Sequence, residues 1–419
     1  MKKQIIPAAL VSLGLALAAC SSDGSTDSTA APDTTSATTG GADTTTGDTG
    51  TDSTATPSDC ALDTPLKIGF AADLGELGAF SDQPGSEAAK VMVDQINAAG
   101  GVGGKPVEYV VKDVQGDPAA TQRAAQELLD DGVNAIIGPP FANTGAPLLD
   151  TVAGKAPVVF MATTDPSLAD PSRGAFLTSF SDKSQASAMA EFALGKGFTK
   201  AVTLSSTDDV YFSGNPEYFT KVFTDGGGSV LGDYAYSLAD SDFSTQVNEI
   251  AGLSDKPEVL FTAMVMPQTQ TLLEQLDAAG LGDIVVMGVD GFDATLVWTA
   301  GDIANGVFFA AHTFPQDGND VQSFIDEVKA TGANIETISF GALSGDAVQI
   351  IAAAATTACS VDPAKLTDAI NNLQDLKVVT GSVTYKDRNG VPDKDVTILT
   401  VEGGQPAFVE AMRPANIPD

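Results

Sequence analysis

From residue 66 onward, short apolar runs alternate with longer amphipathic stretches. Residues 66–71 (LKIGFA), 107–111, 135–137 and 157–161 read as buried strands, each bounded by turn residues. Between them, residues 85–99, 119–130 and 145–153 carry apolar positions at helical spacing. Gly100 and Gly101 end the first of these helices, and Asp117-Pro118 starts the second. A Gly-rich loop (DLGELGAFS, 73–81) follows the first strand. Two more strand ends carry small hydroxyl or amide residues: the polar loop 141–144, after Gly138-Pro139-Pro140, and the loop 162–165 (ATTD). In an open α/β sheet, ligands sit beyond the carboxyl ends of the strands. These loops therefore mark a candidate site for a small ligand with a negative group.

The rhythm breaks near residues 176–183 and starts again. Helices are predicted at 184–195, 214–226, 244–253 and 267–279, with strands at 200–205, 230–236, 259–263 and 284–287. The last of these strands ends at Gly288-Val289-Asp290-Gly291. A strand at 306–311 leads to His312-Thr313-Phe314, then helices at 320–330, 338–355 and 363–373. Residues 383–386 and 396–401, around the turn Asp387-Arg388-Asn389-Gly390, read as a β-hairpin, and the Pro-punctuated end as a surface tail. Two similar α/β lobes built on mostly parallel sheets are expected.

Before residue 66 the composition changes. Lys2 and Lys3 precede a short apolar stretch, 5–15, which ends in Leu17-Ala18-Ala19-Cys20. Residues 1–20 therefore resemble a bacterial lipoprotein signal peptide, with Cys20 lipidated; an ordinary signal peptide is the alternative. Residues 21–60 are mostly Thr, Ser, Asp, Gly, Ala and Pro, which predicts a disordered tether. No later stretch reads as a membrane span. The 419 residues carry a formal charge of −34 without a basic patch, so nucleic acid is not an expected partner. Besides Cys20, only Cys60 and Cys359 remain. An oxidising compartment and an even remainder suggest a disulfide, with two separate thiols as the alternative. No Cys or His cluster has metal-ligand spacing, and no cofactor fingerprint is present.

Several motifs resemble the type 1 periplasmic binding proteins, in the branch that binds leucine, isoleucine, valine and related amides. They are LKIGFAADLGELGAF, INAAGGVGGKPVEYVVKDVQGDPAAT, AIIGPPFANTGAP, FMATTDPSL and DAAGLGDIVVMGVDGF, in the family's order, and the resemblance covers residues 66–408. It implies two Rossmann-like lobes joined by three hinge crossings, with a ligand cleft between them. Mapped here, lobe 1 is 66–179 plus 314–377, and lobe 2 is 180–313 plus 378–419. The crossings fall near Phe180-Ser181-Asp182, His312-Thr313-Phe314 and Val378-Val379-Thr380.

The resemblance also implies ligand contacts. Ala142, Asn143 and Thr144 begin a helix, where free N–H groups favour a carboxylate. The family places a serine at Ala142, so Asn143 or Thr144 is the substitute donor, beside a plain capping role. Ala162 and Thr164 match positions that offer a carbonyl and a hydroxyl; a turn role is the alternative for Thr164. Phe80 and Phe141 stand where the cleft wall is aromatic, with a core role as the plainer reading for Phe80. From lobe 2, Asp290 matches an acidic residue that binds the ligand's ammonium, and Tyr211 matches a tyrosine. Val265 or Met266 replaces a tyrosine of the relatives. Asp182 faces either the cleft or the surface of the hinge.

No enzyme is expected. The only histidine, His312, falls at a crossing and reads as structural. No G-x-S-x-G elbow, P-loop or H-E-x-x-H occurs. The expected protein is a monomeric, lipid-anchored solute-binding protein on the extracytoplasmic face of the cell membrane. It would deliver an amino acid or amide to an ABC permease. The alternative is a surface sensor signalling to a membrane partner.

Overall fold

The computed structural model describes residues 60–418, apart from 295, 296, 298, 318 and 336. The signal segment, Cys20 and the tether up to residue 59 lie outside the described residues. Two sheets organise the fold. The first has the order β2-β1-β3-β4-β5 and is wholly parallel. Its strands are β1 (Lys67–Ala72), β2 (Glu108–Asp113), β3 (Ala135–Gly138), β4 (Val158–Phe160) and β5 (Ala175–Leu177). The second sheet uses β6 (Lys200–Ser205), β7 (Ser229–Ala235), β8 (Val259–Thr262), β9 (Val285–Gly288) and β10 (Phe308–Ala311). Its order is β7-β6-β8-β9-β10, then β13 (Val396–Glu402) and β14 (Gln405–Met412). The first five strands thus repeat the first sheet's order and are parallel, and only the β10–β13 and β13–β14 pairings are antiparallel.

Helices cover both faces of each sheet, so most strand residues are buried and apolar. On the first sheet, α1 (Ala79–Ala98), α8 (Val321–Ala330), α9 (Ile338–Ala358) and α10 (Pro363–Asn371) pack one face. The other face takes α2 (Pro118–Asp130) and α3 (Ala142–Val152). On the second sheet, α4 (Asp182–Gly195) and α5 (Val210–Asp225) cover one face, and α6 (Ser244–Ala251) and α7 (Gln268–Ala278) the other. Among the described residues α9 alone is long and apolar enough to cross a membrane. It was not expected to be, and 83% of its apolar window is buried in the first lobe's core.

Three helices start three to six residues earlier than the hydrophobic spacing predicts, and each carries an internal proline: Pro84 in α1, Pro147 in α3 and Pro216 in α5. Proline lacks the N–H that would bond the carbonyl four residues back. In α1 that carbonyl, on Phe80, accepts from Thr337 Oγ1 at 3.2 Å. In α5 the Phe212 carbonyl accepts from Ser206 N at 3.3 Å. Tertiary donors thus compensate for the break.

The end of the chain also differs. The expected hairpin between 383–386 and 396–401 does not form. Instead β11 (Leu376–Val378) pairs with β12 (Gly381–Val383), and β13 pairs with β14 through Gly403-Gly404. Residues expected in a surface tail therefore form the edge strand of the second sheet. Val378, Val379, Val383 and Tyr385, assigned from sequence to lobe 2, pack in the first lobe's core. Tyr385 donates to the Leu177 carbonyl, and Leu177 N donates to Gly390 O. The third crossing therefore lies beyond Gly390 rather than at Val378-Val379-Thr380.

Two long-range ties hold this arrangement. Cys60 and Cys359 form a disulfide rather than two separate thiols, with Cα atoms 5.4 Å apart, joining the start of the described chain to the end of α9. At the third crossing, Lys394 Nζ lies 2.9 Å from Asp346 Oδ2, with both side chains nearly fully buried. Thr380 N donates to the other Asp346 oxygen. Removing one partner of such a pair strands the other charge. Lys394→Met is expected to lower stability by about 3–5 kcal/mol in urea unfolding; a loss below about 1 kcal/mol would show that Asp346 does not depend on Lys394.

Candidate functional site

The strand-end loops of both sheets converge. After β1, the buried Asp73 carboxylate accepts from Glu76 N and Gly78 N, winding the loop tightly into α1. After β3, Gly138 lets the chain turn against Phe160, whose ring a Cβ would meet at 2.4 Å. Pro140 and Phe141 follow, and α3 starts at Ala142. After β9, Asp290 opens a short 3-10 turn with Gly291 and Phe292.

Phe80, Pro140, Phe141, Ala162, Thr164 and Phe340 from the first lobe line one cavity with Tyr211, Asp290 and Gly291 from the second. Six residues singled out from sequence therefore meet here: Phe80, Phe141, Ala162, Thr164, Tyr211 and Asp290. The gap they leave is about 10 Å³, room for about one water. An amino-acid-sized ligand is admitted only if the lobes or these side chains move. Across the cleft, Phe141 packs edge-on to Tyr211 and stacks on Phe212, with ring centroids 5.9 and 6.0 Å away.

Ala142, Asn143 and Thr144 are not among the lining residues. Ala142 packs against the core behind the sheet, and Thr144 Oγ1 donates to the Phe141 carbonyl at 3.1 Å. Asn143 N donates at 3.3 Å to Asp209 Oδ2, whose other oxygen caps α5 by accepting from Tyr211 N. The helix end expected to attract a ligand's carboxylate thus faces one of the protein's own. Val265 is buried behind Gly291, with its Cγ1 2.7 Å from where a Cβ there would stand.

A buried polar network backs the cavity. Tyr211 Oη donates to Asp290 Oδ1 at 2.7 Å, and accepts from Gly291 N at 2.9 Å. Asp290 Oδ2 lies 2.9 Å from His312 Nε2, and His312 Nδ1 lies 2.7 Å from Ser179 Oγ. Asp290 N donates to Gln185 Oε1. Asp182 is buried, not at the hinge surface: its Oδ1 accepts from Thr164 Oγ1, Gln185 Nε2 and Asn215 Nδ2 at 2.7, 3.0 and 2.9 Å. Because Thr164 spends its proton on Asp182, it offers the cavity an acceptor, which suits an N–H ligand better than a carboxylate.

Sequence reading does not mark Pro140, Phe340 or Gln185, and His312, expected to be structural, is hydrogen-bonded to Asp290 behind the cavity. The one signal available was that a chain with a single histidine places it at a lobe crossing.

Burial pushes the Asp182 carboxyl up to about 7, against the bonds from Thr164 and Asn215, and the nearby Asp290 charge adds to the rise. Asp293 is likewise pushed up to about 7, mainly by burial and then by Asp290. The Tyr211 hydroxyl is held well above its ordinary range by burial and by Asp290.

The periplasmic binding protein family model matches residues 65–405. The chain belongs to the periplasmic binding protein family. The Leu/Ile/Val-binding protein BraC3 of Rhizobium johnstonii is 26% identical over 348 residues, covering 81% of this chain and 92% of the relative. The branched-chain amino acid transporter substrate binding protein LivJ of Streptococcus pneumoniae, solved with isoleucine, superposes with a TM-score of 0.75 at 21% identity. That match covers 84% of this chain and all of LivJ. A solute binding protein of an ABC transporter from R. palustris, solved with benzoate, gives 0.74 at 18% identity, over 85% and 98% of the two chains. The two-lobed type 1 fold expected from the sequence is therefore the one observed. The relatives are binding proteins rather than enzymes, which agrees with the reading of the motifs.

The Asp182 shift carries a sign. Between 3.8, the ordinary value, and about 7, the folded protein keeps a proton that the unfolded chain has lost. Stability should therefore fall as pH rises through that window and level off above it. Asp182→Asn should make the decline in the unfolding midpoint shallower, with Asp293, Asp82 and Asp209, all raised by burial, supplying the remainder; an unchanged slope would mean that Asp182 is ionised in the fold.

Proposed function

We propose that this protein is the extracytoplasmic solute-binding component of an ABC importer, taking a small amino acid or amide into the interlobe cleft. The observation that carries the ligand reading is the cavity wall. Asp290 and Tyr211 face Thr164, Ala162 and three phenylalanines, and no lysine or arginine is among the lining residues. A buried carboxylate attracts a cationic partner. An ammonium supplies one, and the aromatic wall suits an apolar side chain. The names of the relatives support an amino acid. A ligand that is only a carboxylate, such as the benzoate of the R. palustris protein, finds no lysine or arginine here.

Ligand entry would close the lobes about the three crossings, giving the permease a shape to recognise. The protein would act as a monomer tethered through lipidated Cys20. A sensing role towards another membrane partner is the second reading, for which no specific observation speaks.

Calorimetry of the purified protein against amino acids, amides and aromatic acids should give binding only with ligands carrying an amine or amide. A charge-assisted hydrogen bond is worth about 1.5–3 kcal/mol. Asp290→Asn should therefore weaken an ammonium-bearing ligand by about tenfold or more. Equal affinity in this variant, or binding of aromatic acids alone, would overturn the site assignment. For the anchor, Cys20→Ser should move the protein from the membrane to the soluble fraction; continued membrane retention would rule out lipidation at Cys20.

A further inference from the structure

We propose that Asp209 is a specificity-determining residue: it supplies the start of α3 with a carboxyl group from the other lobe, so the cleft takes amine or amide ligands that carry no carboxylate of their own. The inference rests on the reading of the cleft as an amino acid or amide site, and narrows it. Asp209 precedes α5 on the second lobe, and Asn143 lies in the first turn of α3 on the first. Each stands two residues from a lining ring, Tyr211 and Phe141, and those rings pack edge-on across the cleft. The bond between Asn143 N and Asp209 Oδ2 therefore borders the cavity.

The two helices begin differently. At the start of α5, Asp209 is the N-cap, and its Oδ1 accepts from Tyr211 N at 3.0 Å. At the start of α3 the N-cap is Phe141, whose side chain cannot accept a hydrogen bond. The first N–H groups of a helix need acceptors from outside it. For Asn143 N the acceptor is the second oxygen of Asp209, at 3.3 Å, so one carboxyl group caps a helix in each lobe. An N–H has one hydrogen to give. A ligand carboxylate could take it only by displacing Asp209, whatever the charge on Asp209. The neighbouring charge that acts on Asp209 is that of Asp165, a further acid.

The cavity wall offers a carboxylate no side-chain hydrogen in exchange. Two lining side chains carry a hydroxyl, and both hydrogens are committed: that of Thr164 to Asp182, and that of Tyr211 to Asp290. Gly291 N is likewise given to Tyr211 Oη. The other lining side chains are Asp290, three phenylalanines, a proline and an alanine. What the wall presents is therefore acceptors, on Thr164 and Asp290. Acceptors suit N–H groups, which amines and amides both carry. An α-carboxylate enclosed here would lack side-chain donors, and a buried charge without them is strongly unfavourable.

Calorimetry on matched pairs isolates the carboxylate: L-leucine against L-leucinamide, and L-alanine against L-alaninamide, at a pH where both amines are protonated. Each pair shares an ammonium and a side chain, so contacts to Asp290 are common to its members. Wild type should bind the amide about tenfold more tightly or better, the scale of one charge-assisted hydrogen bond. Asp209→Asn keeps an N-cap for α5 while releasing the start of α3. It should shift the ratio towards the amino acid by about tenfold. A wild type without preference for the amide, or a ratio unchanged in Asp209→Asn, would overturn the proposal and leave the binding-protein reading standing. A second measurement needs no ligand. In a ¹⁵N-labelled sample the Asn143 amide hydrogen, bonded to a carboxyl oxygen, should move upfield in Asp209→Ala; an unmoved resonance would overturn the proposal. If wild type bound neither member of either pair nor any other amine or amide, the functional reading would fall, and the amide resonance alone would decide whether Asp209 holds α3 across the cleft.

Discussion

A carboxylate buried between two lobes constrains everything around it. Asp290 lies at the end of β9 with almost no exposure. An ionised group in that position costs several kcal/mol unless donors surround it. The fold surrounds it with the hydroxyl of Tyr211, a donor from α5, and with a hydrogen bond to the ring of His312 at the second lobe crossing. Each partner is anchored in turn, Tyr211 by Gly291 N and His312 by Ser179 on the first crossing. The lobe crossings and the cavity therefore share side chains, and a change of angle between the lobes would change how Asp290 is held.

Much of this was legible in the sequence, because hydrophobic alternation is strong in strands buried on both faces. The strand at residues 200–205 was read to the residue, and most others to within one or two. Six of the cavity residues were also legible, because ligand loops follow strand ends and the family's motifs sit there. Other features depend on partners distant in sequence. Pro84, Pro147 and Pro216 are helix breakers by local rule, yet α1, α3 and α5 run through them. For Pro84 and Pro216, donors from elsewhere satisfy the freed carbonyls. The C-terminal hairpin was misread for a similar reason. Residues 383–386 and 396–401 both look like strands, but Tyr385 is claimed by the first core while β13 is claimed by β10. His312 had no local signature, since its importance lies in contacts to residues 22 and 133 positions away.

The acidic composition takes on a local meaning in the cleft. Asp182, Asp209, Asp290 and Asp293 cluster around one small cavity, with no lysine or arginine on its wall. Three of these groups, Asp182, Asp209 and Asp293, are pushed towards neutrality by burial. The cleft is thus biased against anions from several directions. One of those directions is the start of α3, where Asp209 already caps the backbone.

The Cys60–Cys359 bond gives this hinged body a mechanical asymmetry. The described chain begins at a cysteine welded to the end of α9, the long central helix of the first lobe. Any pull on the preceding residues is delivered into that helix and not through the three crossings. The first lobe is thus the half to which the start of the described chain is fastened.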